Sequence, residues 1–398
     1  MPEYRIPGVY VEETSFRPRA IQGVATSTVG LVGPALDGPT DGVSEALTSF
    51  ADFEQAFGGL GPLSFTDEPP SPNYLAHGVR AFFEEGGERC HVARVAGTDG
   101  ARPRAPDYEG EGTAQPSGLA ALAAVDAIAV VAAPGCSAGY LDDPGRQGDV
   151  LTTQSHLVQH AERLRHRIAL LDAPDGATVA DVRAFRAHVD SSHAALYYPW
   201  VTISDPASGD PLSLPPSGFV AGVYARTDAK RGVHKAPANE VVRLATGLET
   251  TLTNAQQEVL NPEGINALRH FPSRGYRVWG ARTASSDPEY RYVNVRRLLS
   301  YLEHSIERGT RWAVFEPNDE PLWASVREGV EAFLFSEWRG GRLQGAKPEE
   351  AYFVRCDRTT MTQTDLDAGR LVALVGVAPV RPAEFVTVRV RHLAQPTP

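Results

Sequence analysis

Tyr276-Arg277-Val278-Trp279-Gly280-Ala281-Arg282-Thr283 is a β-rich run inside a longer stretch, Gly264 to Gly345, around which the chain is organised. A helix is predicted next. Val295, Leu298, Leu299, Leu302 and Ile306 recur at three- and four-residue steps, which places them on one face. Gly309 stands where a helix stop is expected. Trp312-Ala313-Val314-Phe315 then reads as a short buried strand. Asn318 and Asp319 offer capping oxygens to a second helix, whose apolar stripe is Leu322, Val326, Val330, Phe333 and Leu334 and whose end is Gly340-Gly341. The stretch holds no cysteine and no glycine-rich phosphate loop. It reads as a packing module with charged outer faces.

Several words in this stretch, in this order, resemble the C-terminal half of contractile tail sheath proteins. They are Gly264-Ile265-Asn266, then Val278-Trp279-Gly280-Ala281-Arg282-Thr283, Tyr292-Val293-Asn294-Val295-Arg296-Arg297, and Phe315-Glu316-Pro317-Asn318-Asp319-Glu320-Pro321-Leu322-Trp323. Lys235-Ala236-Pro237-Ala238-Asn239 is similar to the segment that leads into that half. Order and spacing carry the resemblance. Such proteins form the outer cylinder of contractile phage tails, R-type bacteriocins and extracellular injection systems.

The 398 residues suffice for two or three domains with sizeable cores, and a hydrophobic content of 42% is that of a globular chain. No apolar run approaches the ~20 residues of a membrane span. Met1-Pro2-Glu3-Tyr4-Arg5 lacks the apolar segment of a signal peptide, so synthesis in the cytoplasm is expected. Cys90, Cys136 and Cys356 lie far apart, which argues against a disulfide framework or a cysteine-based metal site. A net charge of −11 disfavours broad nucleic-acid binding.

Residues 1–20 are expected to stand outside any core. Pro2, Pro7 and Pro18 prevent a helix, while Gly8-Val9-Tyr10-Val11-Glu12-Glu13 alternates as a strand does. A lone strand must join a sheet. Strands are predicted over 24–32, 90–95, 127–132, 168–172 and 194–198, with helices over 50–57, 72–85, 150–167, 179–189 and 218–229. This alternation favours a partly parallel sheet with flanking helices. Residues 97–118 read as a surface loop or reduced insertion, and 205–217 as a Pro-rich loop. Strands are also predicted over 354–358 and 371–377. Pro379 and Pro382 mark a hinge. Beyond it Val386, Val388 and Val390 alternate with Phe385, Thr387 and Arg389. The expected organisation is an N-terminal arm over 1–20, an α/β body over 21–260, an α+β C-terminal module over 261–378 and a second arm over 379–398.

Three sequence patterns bear on chemistry. Gly135-Cys136-Ser137-Ala138-Gly139 matches a nucleophile elbow after a strand, which makes a serine hydrolase on Ser137 the alternative function. Tyr140-Leu141-Asp142-Asp143-Pro144-Gly145 follows, however, and is a turn where an elbow needs a helix. His156 and His160 are one helical turn apart and could share a metal, but no third ligand is evident. Gly58-Gly59-Leu60-Gly61 follows a helix, the wrong context for a nucleotide loop. No catalytic residue, metal site or cofactor is therefore assigned.

The resemblance implies a structural, mechanical subunit. Its copies would form six-membered rings stacked helically around an inner tube protein, between baseplate and terminal cap proteins, with no nucleic acid and no insertion into a membrane. It also implies assembly in a phage tail or tail-like particle, with release from the cell in some systems. Arm strands centred on Val9, Tyr10, Val11, Phe385, Val386, Val388 and Val390 are expected to link neighbouring copies. Arg296 and Arg297, adjacent on the polar side of their helix, are the candidate contact with the tube.

Overall fold

The computed structural model describes residues 20–66, 68–110 and 115–385. The chain divides into two compact units, Gly23–His304 with the stretch from Pro379, and Ser305–Ala378 with the stretch ending at Gln22. Residues 261–304 thus belong with the body, and the boundary expected at 260/261 lies at 304/305.

The body is built on strands β1 (Val29–Gly33), β2 (Cys90–Arg94), β3 (Val130–Ala132), β4 (Ile168–Asp172), β5 (Ala194–Tyr198), β6 (Val201–Ser204), β7 (Pro211–Leu214), β8 (Glu240–Val241), β9 (Gly247–Leu248), β10 (Ile265–Phe271) and β11 (Gly275–Val278). Its helices are α1 (Phe50–Phe57), α2 (Tyr74–Glu84), α3 (Ala105–Glu109), α4 (Gly118–Ala123), α5 (Pro144–Leu164), α6 (Val179–Arg186), α7 (Ser217–Arg231), α8 (Asn254–Leu260) and α9 (Val293–Thr310), the last as far as His304. The main sheet runs β2-β1-β3-β4-β5-β10-β11-β8. It is parallel from β2 through β10 and ends in two antiparallel pairings. Successive strand residues point to opposite faces. Val130, Ile168, Leu170 and Tyr197 meet α2 and α7 through Leu75, Phe82, Phe219 and Val223 in one core. Val131, Ala169, Leu171 and Leu196 meet Leu122, Leu157 and Phe185 in the other. Covering both faces explains why the parallel strands read as continuous apolar runs.

Local signals account for several boundaries. Ser49 caps α1 in a reciprocal box with Asp52, and Gly58, at φ 82°, ends it. The stretch expected to be a loop over 205–217 contains β7, which pairs with β6. The segment 97–118 is more than a surface loop, because α3 inserts Tyr108, 6% exposed, into the second core.

The second unit contains α10 (Glu320–Arg339), α11 (Pro348–Ala351), β12 (Tyr352–Arg355), α12 (Gln363–Asp367) and β13 (Leu374–Val377). Asp319 caps α10 by accepting from the Leu322 amide. Leu322, Val326, Val330, Phe333 and Leu334 are buried, as the sequence stripe requires, and Trp323 is buried beside them. β12 and β13 pair only with each other among the described residues. Two features depart from expectation. Residues 311–315 are not a buried strand. Arg311–Ala313 is a 3₁₀ turn, Val314 is 64% exposed, and Phe315 is fully exposed at φ 68°. Gly309 does not stop α9; a Cβ there would lie 2.6 Å from Ile21, so the glycine admits a close neighbour.

Candidate functional site

Helix α9 holds Thr26 and Val380, which lie toward the two expected arms. On the N-terminal side, Thr26 meets Asp228, near the end of α7, and Arg297 of α9. Arg297 donates from Nη1 to Asp228 Oδ1 at 2.9 Å and from Nη2 to Asp228 Oδ2 at 2.6 Å. Its Nη2 also reaches the Thr26 carbonyl at 2.9 Å, and the Thr26 hydroxyl donates to Asp228 Oδ2 at 2.7 Å. Both charged side chains are 4% exposed. The Arg297 guanidinium lies 4.7 Å from the centroid of the Tyr224 ring, and the Tyr224 hydroxyl bonds that of Tyr197 on β5. Burial works against the arginine's charge, but Asp228 outweighs it and the pKa is raised. One turn further on, Tyr301 packs over Gly23, where a Cβ would fall 2.1 Å from the phenol oxygen.

On the C-terminal side, Asn294 of the same helix donates to the Val380 carbonyl at 3.1 Å. Glu384 then receives four donors. Arg282 forks onto it at 2.9 and 2.7 Å, Asn261 reaches Oε1 at 2.7 Å, and the Tyr292 hydroxyl reaches Oε2 at 3.0 Å. Partial burial opposes ionisation, but the Arg282 and Asn261 bonds prevail and hold the carboxyl below its ordinary pKa. The stretch bearing Pro379 and Pro382 is therefore tied to the body at two points. Phe385, immediately beyond, is 77% exposed.

Residues Val9, Tyr10, Val11, Val386, Val388 and Val390 lie outside the described residues. Arg296 and Arg297 correct the expectation of a solvated face. They are 7% and 5% exposed. Arg296 bonds Ser300 and Glu303 and lies over Tyr290. Both arginines bind groups of their own chain, which is the physical reason against giving the pair to a tube. Sequence periodicity located their helix but carried no signal for Asp228, which is 69 residues away.

Ser137 is fully buried and its hydroxyl donates to the Ala173 carbonyl at 3.1 Å. A helix begins only at Pro144, so neither an exposed nucleophile nor an adjacent helix N-terminus exists. His160 Nε2 accepts from Arg167 at 2.7 Å, and burial, then Arg167, pushes its pKa down to about 3. His156 instead faces Glu109 at 3.8 Å. No group of three or more metal-binding side chains occurs among the described residues. The sheet reverses strand order at β1 and β3, where α/β folds often hold ligands. A cavity of about 30 Å³ opens there, beside Pro34, Pro134, Arg102 and Arg146. That is room for a water or two and far too little for a nucleotide. No described helix is long and apolar enough to cross a membrane.

One buried acid near Ser137 gives a pH prediction. Asp172 accepts from the Ser217 amide and hydroxyl, each at 2.7 Å. Burial pushes its pKa up to about 7 against those two bonds. The native carboxyl therefore keeps its proton to higher pH than the unfolded one, and stability falls as pH rises between about 4 and 7. Asp172→Asn preserves one acceptor and offers Ser217 a donor. It is expected to be more stable than the parent at pH 8, by on the order of 2–4 kcal/mol, and to differ little at pH 4. Denaturant unfolding at both values checks this; a variant weaker at pH 8 would show that the ionised carboxylate is held favourably.

Among the described residues, the α/β body brings no catalytic constellation together, and the segments that flank its two ends are tied down by Arg297, Asp228, Asn294 and Arg282. Residues 114–284 match the phage tail sheath protein central domain and residues 285–392 the phage tail sheath C-terminal domain, so the chain belongs to the phage tail sheath protein family. A chain in the six-fold symmetrised baseplate of the anti-feeding prophage is 31% identical, with 98% of this chain and 99% of that one covered and a TM-score of 0.75. A chain of the contracted PVC sheath complex, an extracellular contractile injection system, is 30% identical over 98% of both, with a TM-score of 0.74. A putative prophage major tail sheath protein of Pseudomonas aeruginosa (strain UCBPP-PA14) is 29% identical over 236 residues, 58% of each chain; the match thus spans little more than half of that relative's length. The family is one of tail sheath proteins, which are structural components.

Proposed function

We propose that this chain is the repeating subunit of a contractile sheath. It polymerises helically, in stacked six-membered rings, around an inner tube. On contraction it drives that tube through a target envelope. Baseplate and terminal cap proteins bound the cylinder. Synthesis is in the bacterial cytoplasm, and the working form is a tail or tail-like injection particle. The energy lies in the difference between two packings of the same subunits, so no cofactor is needed.

The observation that carries this reading is the pairing of β12 with β13 alone. A two-stranded sheet is marginal in water, and both its strands have an open edge among the described residues. Phe353 at 47% and Leu374 at 51% exposure enlarge the uncovered surface. The chain also carries a strand-like sequence at each end, around Val9 and Val11 and around Val386, Val388 and Val390. Strand addition from neighbouring copies would complete the sheet. The anchored Thr26 and Glu384 then act as fixed points from which the arms reach out, and the bodies can rotate while the arms stay engaged. In this reading Arg296 and Arg297 serve the subunit's own interior rather than a tube contact. Negative-stain micrographs of purified protein test the proposal. Hollow striated cylinders support it; a protein that stays monomeric at high concentration, with and without its co-expressed tube, removes it.

A further inference from the structure

The body carries its charge unevenly. From Val24 to Val79 there are seven Asp and Glu residues and no Lys or Arg. From Gly264 to Ser286 there are four Arg residues and no acid. The two segments lie toward opposite ends of the main sheet.

At one end, the backbone at Ser44 and Leu47 bonds the outer side of β2, through Val92 and Cys90. This places Asp37, Asp41, Glu45 and Glu54, all exposed, along that flank. Arg94 of β2 is the nearby cation, but it donates to the Ala35 and Gly38 carbonyls and forms no ion pair with these acids. At the other end stands the β10–β11 hairpin. Arg282 is neutralised by Glu384. The three remaining arginines bond only neutral acceptors. Arg269 donates to Asn254, Arg274 to Asn239, and Arg277 to the Asn239 and Arg274 carbonyls. Glu240, on the neighbouring β8, faces Lys235 at 3.8 Å. Arg269 and Arg277 are direct cross-strand partners, an arrangement of like charges that costs stability. Arg269 Nε is also buried without an acceptor. Arg274 lies over Phe271 and Trp279, whose rings are tilted at 52° to each other with centroids 4.4 Å apart, so the tip is an aromatic platform bearing positive charge.

We propose that the arginine hairpin Arg269–Arg277 of one subunit binds the acidic flank around Asp37, Asp41 and Glu45 of a second copy of this chain. Six strand spacings separate β2 from β11, roughly 30 Å, so neither surface can satisfy the other within one chain. A contact between unlike surfaces on opposite flanks is head-to-tail and continues from copy to copy, as a ring or helical polymer requires. The inference rests on the sheath reading and adds to it a specific body-to-body contact, separate from the arms.

Charge exchange tests it with the full chain. One variant carries Arg269→Glu, Arg274→Glu and Arg277→Glu; the other carries Asp37→Lys, Asp41→Lys and Glu45→Lys. Each alone should lose at least tenfold in sedimenting assembly at about 0.1 M salt, with circular dichroism like wild type. The wild type should lose assembly as salt rises. A one-to-one mixture should recover assembly, because each reversed hairpin then meets a reversed flank. Variants that assemble like wild type, or folded variants whose mixture stays dispersed, overturn the contact. Wild-type cylinders alongside either result leave the sheath reading intact, whereas a wild type that never assembles removes that reading and this contact with it.

Discussion

Asp228→Ala is expected to destabilise the body by about 3–5 kcal/mol, because it leaves the buried Arg297 guanidinium without its counter-ion. For a body of this size that corresponds to a fall in melting temperature on the order of 10 °C. The loss has three parts. The arginine loses two charge-assisted bonds, at 2.9 and 2.6 Å. The Thr26 hydroxyl loses its acceptor. The charge itself stays enclosed, with only the Thr26 carbonyl and the Tyr224 face to receive it. Added salt should not change the effect much, since a pair 4% exposed is poorly screened. The double change Asp228→Leu with Arg297→Met should recover most of the stability, because apolar side chains of similar volume often replace a buried pair at little cost. Thermal unfolding of the single and double variants decides. A single variant within 1 °C of wild type would mean that water reaches this site. A double variant no better than the single one would mean that the contact with Thr26, rather than the pairing of charge, holds the helix.

This pair also shows where sequence reading stops. The three- and four-residue spacing of Val295, Leu298 and Leu302 placed α9 correctly, and Val295, Leu298 and Leu302 are buried as expected. The same spacing put Arg296 and Arg297 off the apolar stripe, which reads as solvent. A helix enclosed on more than one side buries polar residues too, and their partners come from distant segments. Asp228 and Thr26 are separated from Arg297 by 69 and 271 positions, and no local pattern encodes such pairings. The parallel strands were more legible. Ile168–Asp172 and Ala194–Tyr198 are fully buried runs bounded by turns, and the structure places both strands where the sequence does. Gly58 likewise announces the end of α1, whereas the Ser49 cap emerges from the structure.

The misreading of Trp312 to Phe315 has a different cause. Apolar composition there suggests a core strand. Val314 and Phe315 are exposed instead, and Phe315 adopts a positive φ that a bulky residue avoids without reason. Composition reports that apolar surface is to be covered; it does not report whether the cover comes from the same chain. The sequence carries no signal that the main sheet runs on past residue 260. In fact β10 continues the sheet in parallel beside β5. Of the candidate site, the terminal strands are an expectation from alternation and proline placement, and they lie outside the described residues. The role of Glu384 is not legible in sequence, since its partners Asn261, Arg282 and Tyr292 are about a hundred residues away.

Val388→Pro, or deletion of residues 1–12, is expected to abolish long sheaths while leaving a folded, soluble subunit. Val9 and Val11 at one end, and Val386, Val388 and Val390 at the other, form apolar rows in sequence. The described cores close without them, from Val29 onward. The anchors are also left in place. Thr26 lies beyond the deletion, and Glu384 precedes Val388 by four positions. Proline removes an amide donor and is excluded from a central strand, so an arm carrying it cannot be enclosed in a neighbour's sheet. Burying three valines contributes roughly 4–6 kcal/mol before ordering and association costs, enough that one broken strand shifts the assembly balance at every joint of the polymer. Circular dichroism should match wild type, while sedimentation moves from polymer to monomer or small oligomers. Full-length cylinders from either variant would mean that something other than arm exchange joins the subunits. Loss of the folded signal would mean instead that the arm completes its own chain's core. Between these outcomes the pair β12 and β13, whose outer edges are unpaired among the described residues, is the deciding surface. In the expected case, a synthetic peptide of residues 1–20 should bind the deleted subunit and raise its melting temperature, since the open strand edges remain for it to occupy.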